Sequence, residues 1–165
     1  MKTSAQGVDL LIRREGLRRK WYFDSKHLPT IGVGHLITAT EHLSGHIKIA
    51  GVKVKWRKGL TFDQVTLLFK QDLLKFEKTI NTHVKIKLKP HQFDALVSFS
   101  YNIGRSAFFR STLLRRLNLG RFAAAADEFK RWRRPAGIIS RRAGELAQFK
   151  GTLFTARIEG GFDHA

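Results

Sequence analysis

The 165-residue chain has no cysteine. Disulfides, thiolate nucleophiles and cysteine-ligated metals are therefore excluded. Proline is scarce at 3 residues, and with 14 glycines the composition is neither collagen-like nor that of a linker. Acidic residues are few: 13 Asp and Glu against 31 Lys and Arg leave a formal net charge of +18. Such a surface suits a polyanionic neighbour, whether nucleic acid, an anionic membrane or an anionic wall polymer. No segment reaches the roughly 18 apolar residues needed to cross a bilayer. The apolar run Val8 to Ile12 is broken by Asp9 and is too short for the core of a signal peptide. Action outside the cytoplasm is thus expected to need a separate route or a targeting segment that this sequence does not include. What is present, 42% hydrophobic and 11% aromatic residues, is enough for a packed interior. The length allows one domain or two small lobes sharing a core.

The periodicity predicts a first helix from Ser4 to Gly16, with Val8, Leu11 and Ile12 on one face and Gly16 as its stop. Trp21–Asp24 and Thr30–Gly34 then read as two strands around a Ser25–Pro29 turn. A second hairpin is expected at Ile47–Ile49 and Val52–Trp56, with lysines on one face and apolar side chains on the other. Thr61 has capping-box spacing to Gln64 and opens a long helix with Val65, Leu68, Phe69, Leu73, Phe76 and Ile80 inward. Pro90 starts a helix that is apolar nearly all round through Tyr101 and ends at Gly104. Shorter helices are expected at about 112–119, 121–132 and 140–150. The predicted class is α+β: a small lobe at about 16–60 and a helical lobe at about 61–152 joined by the N-terminal helix 4–15, with a tail at 153–165. Together these make a single domain of residues 1–165, with a ligand groove between the lobes.

Glu15 continues the apolar stripe of Val8, Leu11 and Ile12, and it occupies the last turn, where the helix dipole opposes negative charge. Partial burial there would favour the protonated form, as a general acid requires. The alternative is an ion pair with Arg13, Arg14, Arg18 or Arg19. Asp24 and Thr30 are expected opposite each other across the hairpin, close enough to hold a water. Thr30, Gly32 and Gly34 would share a face and leave a floor without side chains. The plainer reading makes Asp24 a hairpin-closing residue. One neutral and one ionised carboxyl beside a groove are the equipment of glycoside cleavage.

Glu15-Gly16-Leu17-Arg18, Tyr22, Asp24 and Thr30-Ile31-Gly32-Val33-Gly34-His35 closely resemble the signature of the phage-type lysozymes, glycoside hydrolase family 24. Leu68–Leu73, Gln92–Gly104, Arg141–Glu145 and Phe149–Gly151 resemble the same family in order. The resemblance implies a lysozyme-like fold. It also implies hydrolysis of the β-1,4 bond between N-acetylmuramic acid and N-acetylglucosamine in peptidoglycan. Carried over, Glu15 is the general acid, Asp24 supports the attacking water or the developing cation, and Thr30 positions that water. Inversion is expected, with carboxyl groups about 6.5–9.5 Å apart. Leu36, Tyr101, Asn102 and Thr112 are implied sugar contacts, with ordinary core packing the alternative for Tyr101. Separately, His35 and Asp72 are expected to form a structural ion pair tying the β lobe to the first long helix. Neither a metal nor an organic cofactor is implied. His42 and His46 stand four apart, but there is no H-E-x-x-H, and they are read as structural or solvent-facing.

A lytic transglycosylase on the same bond is the nearer alternative. It usually dispenses with a second carboxylate, so Asp24 discriminates. A non-enzymatic wall or nucleic-acid binder is the remoter one, and no nucleic-acid recognition motif supports it. Between Arg105 and Arg142 there are eleven Lys and Arg and two acids, Asp127 and Glu128. This region is expected to strengthen attraction to anionic outer-membrane or wall polymers, with no specific nucleic-acid partner and a monomeric chain. The lysine hairpin is read as a solvated face, the alternative being contact with anionic glycan. Synthesis in a host cytoplasm and action on the cell wall after release are expected.

Overall fold

The computed structural model describes residues 1–152, so the expected tail at 153–165 lies outside the described residues. The chain folds as two compact units. One is Asp9–Leu74; the other joins Met1–Val8 to the chain from Lys75 onward. Among the described residues no helix is long and apolar enough to cross a membrane.

In the Asp9–Leu74 unit, α1 (Ala5–Glu15) ends at Gly16, whose φ of +80° no side chain favours. Strands β1 (Arg18–Phe23), β2 (Pro29–Gly32) and β3 (His35–Leu36) form an antiparallel sheet in that order. The register pairs Tyr22 with Thr30 and Phe23 with Pro29, so Asp24 is not opposite Thr30 as the loop length suggested. Asp24 instead closes the loop against Leu28, its N–H donating to the Leu28 carbonyl at 3.0 Å. Asp24 therefore shares a face with Tyr22 and is a diagonal neighbour of Thr30. The glycine floor is also corrected. Gly32 and Gly34 have φ of +70° and +72°, so they end β2 and turn the chain into β3 rather than extend one strand.

The unit continues with α2 (Ala39–Ser44), which the apolar pattern did not anticipate. Thr38 and Glu41 form its capping box. Strands β4 (His46–Ile49) and β5 (Val52–Lys55) follow, joined by Ala50 and Gly51, both at positive φ. A 3-10 turn at Trp56–Lys58 buries Trp56, whose indole N–H donates to the Glu41 carbonyl at 2.9 Å. The long helix α3 (Phe62–His83) opens on the Thr61–Gln64 box. All six positions predicted to face inward on α3 are buried.

In the other unit, α4 (Pro90–Ile103) is buried from Phe93 through Ser100 and packs principally on α8 (Ile139–Lys150). Between them lie α5 (Arg105–Phe109), α6 (Thr112–Asn118) and α7 (Phe122–Glu128), with 3-10 turns at Phe129–Arg131 and Ala136–Ile138. The single helix expected at 121–132 is thus an α-helix that tightens into a 3-10 turn, and α5 is additional. Asp94 of α4 caps the start of α1: its Oδ1 accepts the Ser4 N–H at 2.9 Å and its Oδ2 the Ser4 hydroxyl at 2.5 Å. A buried ion cluster links α4 to α8. The fully buried Glu145 carboxylate accepts from Arg141, Arg142 and the Ser98 hydroxyl.

Candidate active site

Asp24 is half-buried, and its geometry follows from the hairpin it closes. Its Oδ1 accepts the backbone N–H groups of Lys26 at 2.8 Å and Leu28 at 2.9 Å. Two amide donors on one oxygen lock its rotamer. Among the described residues Oδ2 has no hydrogen-bond partner, so one oxygen holds the loop and the other is open. His27, at φ +56°, lets the loop close around the carboxylate.

Thr30 is 2% exposed at the centre of the sheet, between Tyr22 on β1 and Leu36 on β3. Its hydroxyl donates to the Leu28 carbonyl at 3.0 Å, which leaves lone pairs to accept from a water. Leu28 therefore serves both side chains. No sequence pattern marks that residue, because its role runs entirely through its peptide group.

Glu15 is the last helical residue of α1 and is exposed, so the predicted partial burial is not found. Burial along its stripe runs from Val8 and Leu11 to the half-buried Ile12 and stops there. Helical spacing identified the face, but burial along it fades before Glu15. Leu36 is 48% exposed beside Thr30, an apolar surface available to a ligand.

His35 Nδ1 lies 2.8 Å from Asp72 Oδ2, and Nε2 lies 3.3 Å from Glu41 Oε2. Burial disfavours the imidazolium, but the Asp72 and Glu41 carboxylates outweigh it, and the imidazole pKa is raised above the ordinary 6.5. Glu41, which sequence reasoning missed here, had a signal in the Thr38-x-x-Glu41 spacing.

Tyr101, Asn102 and Thr112 belong to the other unit. Tyr101 is half-buried with its ring centroid 5.0 Å from that of Phe76. Asn102 is exposed, and its Oδ1 accepts from the Arg142 guanidinium. Thr112 is the first residue of α6, capped by Ser111.

The family model for phage lysozyme matches residues 12–145, a span that includes the Glu15, Asp24 and Thr30 positions. The chain belongs to the phage lysozyme family. An endolysin of Salmonella phage P22 is 40% identical over 153 residues, covering 90% of this lysozyme and 98% of the relative. An endolysin of Bacillus phage PZA is 38% identical over 157 residues, covering 90% of this chain and 55% of that longer protein. Among solved structures, a P22 lysozyme mutant matches with a TM-score of 0.76 at 38% identity, covering 91% of this chain and 99% of that one. The muramidase domain of SpmX from Asticaccaulis excentricus matches with a TM-score of 0.73 at 33% identity, covering 90% and 97%. The α+β lysozyme fold and a peptidoglycan-hydrolysing activity follow for this chain.

Proposed function

We propose that Glu15, Asp24 and Thr30 carry out the cleavage, as a muramidase that splits the β-1,4 bond between N-acetylmuramic acid and N-acetylglucosamine with inversion. Glu15 gives its proton to the leaving oxygen. Its exposure at the end of α1 leaves the carboxyl accessible to a sugar. Asp24 takes a proton from the attacking water through Oδ2, and Thr30 orients that water with a hydroxyl lone pair. The observation that carries this reading is the division of labour on Asp24, with one oxygen fixed by two amides and the other open. Leu36, Tyr101, Asn102 and Thr112 are the proposed sugar contacts.

The chain acts as a monomer and as one catalytic domain on the cell wall. Its basic segment from Arg105 to Arg142 adds salt-sensitive attraction to envelope anions. The test is digestion of purified peptidoglycan by wild type, Glu15→Gln and Asp24→Asn, with mass analysis of the fragments. Reducing muramic ends made by wild type alone support hydrolysis. Anhydromuramic ends would select the transglycosylase.

A further inference from the structure

The β4–β5 ribbon has two unlike faces. Ile47 and Ile49 are buried on one, opposite Val54 and Val52. On the other, His46 stands directly across from Lys55, and Lys48 directly across from Lys53. The three lysines are exposed, and among the described residues none of them has a carboxylate partner. Like charges in directly opposed cross-strand positions repel at about 5 Å, and residues two apart on a strand repeat at about 7 Å. A merely solvated face would more cheaply alternate sign.

The ribbon is also held in place. Gln71 of α3 donates its amide to the Lys48 carbonyl at 3.1 Å and accepts the Ala50 N–H at 3.4 Å, so the turn is pinned from below. His46 Nδ1 lies 2.6 Å from the Ser44 carbonyl. A rigid platform with concentrated, uncompensated ammonium groups is prepared for a ligand that supplies the missing charge.

We propose that the lysine face of β4–β5 binds a linear, phosphate-bearing polyanion of the bacterial envelope, so that the enzyme is retained where its substrate lies. The proposal rests on the muramidase reading for its location, though not for its chemistry. Charge complementarity selects an anion with several closely spaced groups. The face has no apolar side chain to enter a bilayer, as a membrane-docking surface needs. It carries no Phe, Tyr or Trp side chain, and its one ring, the His46 imidazole, lies at the end of the ribbon with Nδ1 against the Ser44 carbonyl, whereas single-stranded nucleic acid prefers a series of stacking rings.

Long-chain inorganic polyphosphate is the probe. Its affinity is measured against salt for the wild type, for Lys48→Gln/Lys53→Gln/Lys55→Gln, and for a control of equal charge change, Lys78→Gln/Lys87→Gln/Lys150→Gln. Losing three counterion-releasing contacts should reduce the logarithmic salt slope by about 2 and the affinity at low salt by on the order of 100-fold. The control should change affinity by less than about 3-fold, because it alters only the long-range field. Without ligand, the ribbon variant should melt about 1–3 °C higher, since the repulsion is gone. Equal losses in the two variants would overturn the proposal, since net charge alone would then explain binding. So would a ribbon variant that keeps its polyphosphate affinity and loses only anionic vesicles or a single-stranded oligonucleotide. Hydrolysis of sacculi stripped of attached anionic polymer should match wild type in the ribbon variant. A wild type that binds polyphosphate yet releases no reducing ends would refute the muramidase reading and leave this one standing.

Discussion

Asp24 and Thr30 are tied through one residue's backbone, with the Leu28 N–H donating to Asp24 Oδ1 at 2.9 Å and the Leu28 carbonyl accepting from Thr30 Oγ1 at 3.0 Å. Two side chains from either side of the hairpin thus take their positions from the same backbone unit. The coupling separates catalysis from stability in a measurable way. Asp24→Asn keeps an amide oxygen to accept both loop N–H groups and loses only the charge. It should lower peptidoglycan turnover by at least about 100-fold, within the usual range for an acid–base group, at a stability cost below about 1 kcal/mol. Thr30→Val is nearly isosteric, and the Leu28 carbonyl still accepts the Asp24 N–H, so its cost should also stay near 1 kcal/mol while activity falls. If either variant lost activity only in proportion to its unfolded fraction, these residues would be structural.

His35 sets a pH dependence of stability. Its folded-state pKa is raised: burial opposes the charge, but the Asp72 and Glu41 carboxylates together outweigh it. The sign follows from linkage. Below the unfolded value of about 6.5 the imidazole is protonated in both states, and the ion-pair contribution is fully present. As pH rises through the higher folded value, the folded-state proton leaves and the contribution is lost. Urea midpoints should therefore fall as pH climbs above about 6.5. His35→Asn, or Asp72→Asn for its main partner, should flatten that slope. A slope that survives in both variants would assign it to other groups.

What was legible in the sequence was whatever a local period dictates. The inward face of α3 followed from apolar spacing, and Gly16, Pro90 and Gly104 mark helix ends because each acts through its own backbone. The lysine ribbon followed from strict alternation. Helix α2 was not found because it has no buried residue and hence no apolar period, only a capping box. The Asp24–Thr30 register depended on a side chain folding back into its own loop, which strand length alone does not encode. The exposure of Glu15 depended on what covers the last turn of α1. The Asn102 partner lies on α8, 40 residues away in sequence. Glu15, Asp24 and Thr30 were recognisable as a spaced set of residue types, whereas the hydrogen bonds that hold Asp24 and Thr30 were not.

Gly7 offers a test of packing against propensity. A Cβ there would lie 2.5 Å from Asp94 Cγ, 2.6 Å from Oδ2 and 2.9 Å from Cβ. Gly→Ala within a helix ordinarily stabilises by about 1 kcal/mol. Here the added methyl must displace the carboxyl that caps α1 through Ser4, and overpacking of this kind costs about 1–3 kcal/mol. The cap is lost in addition, at about 1 kcal/mol. Gly7→Ala should therefore destabilise by about 1–3 kcal/mol in chemical denaturation. An unchanged or raised midpoint would mean that Asp94 moves aside without cost.

The Glu145 cluster should behave oppositely under single and joint replacement. Its carboxylate is fully buried, with the Arg141 Nε at 2.9 Å, the Arg142 guanidinium on the other oxygen and the Ser98 hydroxyl at 2.7 Å. Arg142 is itself 4% exposed and also donates to the Asn102 side chain and the Trp132 carbonyl. Glu145→Gln removes the only carboxylate paired with Arg142 among the described residues and leaves a buried cation, which should cost on the order of 3–5 kcal/mol. Replacing Arg141 and Arg142 by Met together with Glu145→Leu removes the charges as a set and should recover much of that loss, since the desolvation of all three is relieved at once. Urea denaturation of the single and triple variants distinguishes the cases. A triple variant no more stable than Glu145→Gln would mean that the hydrogen bonds to Ser98, Asn102 and the Trp132 carbonyl, rather than the paired charges, hold α8 against α4.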